Sequence, residues 1–326
     1  MFKHILVPLD GSRLAESALE IVASLAKRLK ASVTLLHLIE KDAPSEVHNE
    51  RHLVTEDEAS AYLDEVAHLS VLAGIRVSTH VHASLVSDVA KSIKEHSEEL
   101  APDLIVMSTH GRGGAQRLLF GNLAQQVTAL GKTPVLVVRP PEGSQNMIAN
   151  ADWRMILAPI DAEPSHEMSL LFASDLALAF HCRLQLLMVV PTLARLSGFQ
   201  GAFGLLLPGT TRVKLEIESS AARDYLRTKE RELQVKGVRT GSEVGRGKAA
   251  RVISKAAERL SADLIVMGTH GRVGAEAFWA GSVAAQVVSG TNIPLLLLPL
   301  TATEEGKPSQ DRGRPSVHPP RHSARS

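Results

Sequence analysis

Two glycine patterns in the chain have the residue types and spacing to hold an anion. Gly111, Gly114 and Gly121, and again Gly271, Gly274 and Gly281, read G-x-x-G, six residues, then G, and a polar residue follows each, Asn122 or Ser282. The first two glycines of each sit in two near-copies, "DLIVMSTHGRGGA" at 103 to 115 and "DLIVMGTHGRVGA" at 263 to 275, which agree at 11 of 13 positions across a spacing of 160 residues. Glycine lets backbone N–H groups approach a ligand and tolerates positive φ. A helix start after such a turn presents unpaired N–H groups and about half a positive charge, which suits phosphate. The Ser282 hydroxyl and the Asn122 amide can each donate one more hydrogen bond.

A second repeated group is acidic. "KHILVPLD" at 3 to 10 returns as "RMILAPID" at 154 to 161, so Asp10 and Asp161 each close a short apolar run. In an open α/β sheet ligands bind beyond the carboxyl ends of the strands, where strand order reverses. A carboxylate there can accept from an adenine amine or ribose hydroxyls while the glycine turn takes phosphates.

The elements that must position these groups are legible as well. Apolar runs at 32 to 39, 103 to 108 and 134 to 138 carry little polar alternation, the mark of strands covered on both faces, and a further β-like run lies at 75 to 81. Leu14, Ala18, Ile21, Val22, Leu25 and Leu29 follow helical spacing. The expected fold is α/β, two repeated doubly wound domains, each an open five-stranded parallel sheet flanked by helices. Pro8 and Pro159 should mark the exits of the first strands. The expected boundaries are 1–140, a linker at 141–152, 153–300, and a disordered tail at 301–326, which has no apolar periodicity.

Composition narrows the function. With 326 residues, 36 basic against 35 acidic side chains and 3% aromatics, the chain lacks the basic footprint and the stacking platforms of nucleic-acid binders. Cys182, the single cysteine, lies in an apolar run and is expected to be a buried thiol in a reducing compartment. Neither a secretory leader nor an unbroken apolar span is evident, so a cytoplasmic protein without membrane partners is expected.

The combination of "ILVPLD" with "ILAPID", "LIVMSTHGRGG" with "LIVMGTHGRVG", and the glycine pattern ending in "GN" or "GS" resembles the universal stress protein family in tandem form. That resemblance implies a cytoplasmic stress-response protein, with ATP binding, with or without Mg²⁺, in one branch of the family. Asp10 or Asp161 would stand near the adenosine and the main chain at Leu38 or Val189 against the base. Gly111, Gly114, Gly121 and Asn122, or Gly271, Gly274, Gly281 and Ser282, would surround the phosphates. It also implies pairing through the last strands, 134–138 and 294–298, in a homodimer or between the two halves of one molecule.

Departures from the pattern keep a second reading open, an interaction protein of the same fold whose sites hold no nucleotide. Asn122 replaces the hydroxyl residue, Val273 stands inside the second turn, and Glu163 lies near the second phosphate region. The segment at 191–211 is either a partner surface or a loop packed on its own domain. No metabolic reaction is implied. "GKT" at 131 to 133 is no P-loop, because Gln126 stands where the leading glycine belongs, so slow ATP hydrolysis is the least supported alternative. His110 and His270 have no partner base or nucleophile at recognisable spacing and read as loop-orienting residues. Arg112 and Arg272 are equally consistent with phosphate contact and with plain surface. His48 with His52, and His80 with His82, have metal-ligand spacing but no third ligand, and are expected to be solvated or edge histidines.

Overall fold

In the computed structural model, the described residues are 1–47, 50–109, 122–139, 152–162, 167–192, 208–270 and 282–300. The first half contains β1 (His4–Pro8), β2 (Ser32–Glu40), a short antiparallel pair β3 (Glu46–Val47) and β4 (Glu50–Arg51), then β5 (Val77–Val86), β6 (Leu104–Ser108) and β7 (Val135–Val138). The second half contains β8 (Met155–Pro159), β9 (Arg183–Val190), β10 (Arg239–Arg246), β11 (Leu264–His270) and β12 (Leu295–Leu300). The first strands end at Pro8 and Pro159, where a missing N–H costs the sheet least.

Ten of these strands form one sheet in the order β10-β9-β8-β11-β12-β7-β6-β1-β2-β5. Each half is parallel within itself, and β1 and β8 are each flanked by the second and fourth strands of their half. The halves meet where β12 runs antiparallel to β7, with Leu295, Leu296 and Leu297 facing Val137, Leu136 and Val135. Of the two pairings expected for the last strands, this is the one within a single molecule. An apolar edge strand invites a partner strand, and in a tandem chain the nearest one is covalently attached.

The core lies in two layers, one on each face of the sheet, and each layer runs through both halves. Helix Leu19–Leu29 buries Ile21, Val22, Leu25 and Leu29, as expected from their spacing, and Leu19 besides. The periodic stretch beginning at Leu14 is not one helix, however. A short turn at Arg13–Glu16, capped by the Ser12 hydroxyl, breaks before Leu19. Thr55 and Asp88 accept from the N–H groups of Glu58 and Lys91, starting the helices Glu56–Ala67 and Val89–Glu99. Between the halves, Phe2 stacks on Phe172, and Arg28 donates to the Ala179 carbonyl at 2.6 Å with its guanidinium over the Phe180 ring. Arg139, buried at the end of β7, donates to the Thr291 carbonyl at 3.1 Å. Cys182 is 3% exposed, and burial pushes its thiol up to about 11, as expected of an inert core cysteine.

Candidate functional site

The repeated segment begins with a residue whose work is structural. Asp103 Oδ2 accepts from the N–H groups of Lys3 and His4 at 2.6 and 3.0 Å, and Asp263 Oδ2 accepts from Arg154 and Met155 at 2.7 and 2.9 Å. In each half the aspartate before the fourth strand therefore pins the start of the first. Ile5 pairs with Leu104 and Leu6 with Ile105, while Ile156 pairs with Leu264 and Leu157 with Ile265. With that register set, the exits of the first and fourth strands emerge side by side where strand order reverses.

At the exit of β1, Asp10 Oδ1 accepts from the Ser12 N–H at 3.0 Å and from its hydroxyl at 2.6 Å. The Ser12 hydroxyl in turn accepts from the Ala15 N–H at 3.1 Å. Gly11 between them has φ +89°, a conformation costly for any residue with a Cβ. This hydrogen-bonded turn holds the Asp10 carboxylate at the strand end. Asp161 follows β8 at the equivalent place and is exposed.

Leu38 and Val189 occupy matching positions near the ends of the second strands, Leu38 beside His82 of β5 and Val189 beside Gly245 of β10. Ser282 caps helix Val283–Gly290, its hydroxyl accepting from the Ala285 N–H at 3.1 Å. Asn122 begins helix Asn122–Leu130. Thr109 follows β6 directly and is buried. The expected phosphate residues Gly111, Gly114, Gly121, Gly271, Gly274 and Gly281 lie outside the described residues, as do Glu163, the histidine and arginines at 110, 112 and 272, and most of the 191–211 segment.

Two contacts beside the strand-one acids escaped the sequence reading. Glu16 and Glu167 each stand six residues after their half's aspartate, and Tyr62 and Tyr225 each precede a buried leucine, Leu63 or Leu226, on the next long helix. In the second half the Tyr225 hydroxyl donates to Glu167 Oε1 at 3.2 Å, and Lys229 Nζ lies 2.9 Å from the same oxygen. The Lys229 ammonium holds the Glu167 carboxyl below its usual range. In the first half Tyr62 faces Glu16 without closing a well-formed hydrogen bond, and burial raises the Glu16 carboxyl and the Tyr62 phenol. The signal was available: aligning the halves on Asp10 and Asp161 superimposes the two glutamates.

One of the four paired histidines, His52, differs from expectation. His52 is 3% exposed and so is neither a solvated nor an edge residue, and no helix carries it, since β4 ends at Arg51. His48 lies outside the described residues. His80 and His82 are half-buried on edge strand β5, and the fold brings buried His96 against both, with ring centroids 5.1 and 4.9 Å apart. His96 Nδ1 pairs with the Ser92 carbonyl at 2.8 Å. Even so, among the described residues no cluster of His, Cys, Asp or Glu is arranged to hold a metal ion. None of the described helices is long and apolar enough to cross a membrane.

Two doubly wound halves, each with an aspartate just beyond its first strand where strand order reverses, define a tandem α/β protein. The universal stress protein family model matches residues 1–139 and 153–299, and the chain belongs to that family. It is 30% identical over 149 residues to a universal stress protein of Methanocaldococcus jannaschii, spanning 44% of this chain and 85% of that one. To a universal stress protein of Synechocystis it is 36% identical over 139 residues, 42% of this chain and 86% of the relative. Each relative thus corresponds to about one half. The solved universal stress protein of Archaeoglobus fulgidus shares the fold across both, with a TM-score of 0.65 over 91% of this chain and 96% of that one at 17% identity.

Proposed function

We propose that the chain is a cytoplasmic stress-response protein that binds ATP, with or without Mg²⁺, and acts through nucleotide-dependent conformation or partner binding rather than by metabolic catalysis. The observation that carries this reading is the aspartate just beyond each first strand, Asp10 or Asp161, on a strand registered beside the fourth strand of its half. Asp10 and Asp161 would accept from the ribose or adenine, and the main chain at Leu38 and Val189 would meet the base. The amides of the two glycine sets, with Asn122 and Ser282, would surround the phosphates. Because Ser282 already accepts a backbone N–H, its hydroxyl proton remains available to a phosphate oxygen.

The test is equilibrium binding of labelled ATP to the full chain at neutral pH. Saturable binding that drops about tenfold or more in Asp10→Ala with Asp161→Ala is expected, the loss of one or two charge-assisted hydrogen bonds. Absence of saturable binding by wild type would overturn the reading.

A second reading, an interaction protein of the same fold without nucleotide, is favoured by one observation in the first half. Residues 50–55 lie across the strand-one turn, with Leu53 against Gly11 and the Glu50 carboxylate on the Arg13 N–H at 2.6 Å. Native mass spectrometry of freshly purified protein separates the two, since a retained nucleotide mass supports the first reading alone.

A further inference from the structure

We propose that residues 50–55 form an acid-released strap over the strand-one turn of the first half, with His37 as the group whose protonation frees it. The release itself stands on the geometry below, while its consequence, access of ligand to Asp10, rests on the nucleotide reading above.

The strap is held at both ends and in the middle. Glu50 accepts from the Arg13 N–H and lies 3.5 Å from Arg13 Nε. Leu53 carbons stand 3.0 Å from where a Cβ on Gly11 would be. The His52 N–H donates to the Ser45 carbonyl at 3.1 Å, and the Val54 N–H donates to Glu58, which also pairs with Arg51. Beneath it lie two imidazoles, His37 at 1% exposure and His52 at 3%.

His37 Nδ1 pairs with the Leu9 carbonyl at 2.8 Å, so Nδ1 carries the proton and Nε2 is left as the acceptor. Nε2 points toward the Leu53 backbone without closing a hydrogen bond. Both His52 nitrogens and the Tyr62 hydroxyl are likewise buried without a well-formed partner. A neutral His37 ring tolerates this enclosure, but a proton on its Nε2 would place a cation under Leu53, away from water.

The charged and titratable neighbours come from every element around the ring: Asp10 on the turn, Arg13 and Glu16 on the short helix, Glu50 and His52 on the strap, and Tyr62 and Glu65 on helix Glu56–Ala67. Burial outweighs the backbone at Leu9 and Leu53 and the Asp10 carboxylate, all of which favour the charged ring, so the His37 imidazole titrates below its ordinary 6.5. The sign follows. A histidine depressed in the closed form keeps the strap down above pH 6.5, and closure weakens as pH falls below that value. Opening linked to one proton gains up to about tenfold per pH unit. The second half has Met188 at the position of His37, and no such titration is expected there.

The experiment is amide hydrogen exchange on the full chain without nucleotide, corrected for intrinsic rates, at pH 7.5 and 5.5. The Arg13, His52 and Val54 amides report the strap, and the Arg183 amide, held by the Arg154 carbonyl, reports the second half. The three strap amides are expected to lose about tenfold or more protection at pH 5.5 while Arg183 is unchanged. In His37→Asn, whose amide keeps a donor for the Leu9 carbonyl but cannot titrate, that loss should vanish. A pH-independent wild type, or an undiminished response in His37→Asn, would overturn the proposal. Should the variant lose protection at Arg183 and so fail to fold, the wild-type His37 ring decides by NMR titration: a midpoint below 6.5 that coincides with strap opening upholds it, and one at or above 6.5 overturns it. ATP binding at pH 7.5 is measured separately, so failure of the nucleotide reading leaves the exchange result intact.

Discussion

Tyr225 donates to Glu167 at 3.2 Å on the very oxygen that Lys229 approaches at 2.9 Å, so one carboxylate ties the helix after β8 to the long helix Pro208–Val235. In the first half Glu16 and Tyr62 hold the matching places, and Val66 stands where Lys229 would be. The same frame thus carries a lysine beside its carboxylate in one half and a valine in the other.

Lys229→Met should expose that difference. Glu167 is 44% exposed, so screening keeps the pair's contribution below about 1 kcal/mol. Because Lys229 depresses the Glu167 carboxyl, the stabilisation is present above the ordinary glutamate value and disappears as pH falls through the lowered one. Urea unfolding of wild type and variant should differ at pH 7 and converge below about pH 4. The gap should shrink in high salt.

Gly11→Ala is expected to destabilise the first half by about 1 to 3 kcal/mol. A Cβ at φ +89° costs about 1 to 2 kcal/mol, and Leu53 must also shift from its 3.0 Å contact. Denaturant unfolding would show the loss, and faster exchange of the His52 amide would localise it.

The pairing of β7 with β12 makes Leu136 a core residue of the joined sheet, 1% exposed and facing Leu296. Leu136→Asp should cost about 3 to 5 kcal/mol through an unpaired buried charge. Leu85→Asp, at a position 64% exposed on edge strand β5, should stay within about 0.5 kcal/mol. Equal effects in thermal and denaturant unfolding would contradict the shared sheet.

Much of the fold was readable because its signals are local. The unbroken apolar runs, the prolines at strand exits and the doubled "DLIVM" segment gave the α/β class, the repeat and the order of elements. Helix Leu19–Leu29 followed from its spacing, whereas its break from the preceding turn depends on the Ser12 cap and the Asp10 bonds, which periodicity does not register. The aspartates of the repeated segment had no role legible in residue order, and only the structure showed them bonded to the first strand of each half. His96 and His52 were out of reach for another reason: one meets its partner histidines from a separate helix, and the other is buried by a segment with no periodic pattern.

Residue order by itself determined that this chain is two copies of one α/β plan with an acid and a glycine set at corresponding places, because periodicity and repetition are properties of a line. Tertiary structure alone decided that the copies share a single sheet through β7 and β12, and that the turn after Asp10 lies under residues 50–55 while Asp161 is exposed. Edge-strand pairing and burial depend on what surrounds a residue in space, and the same apolar strand or imidazole would serve equally well in another arrangement until the fold assigns its neighbours.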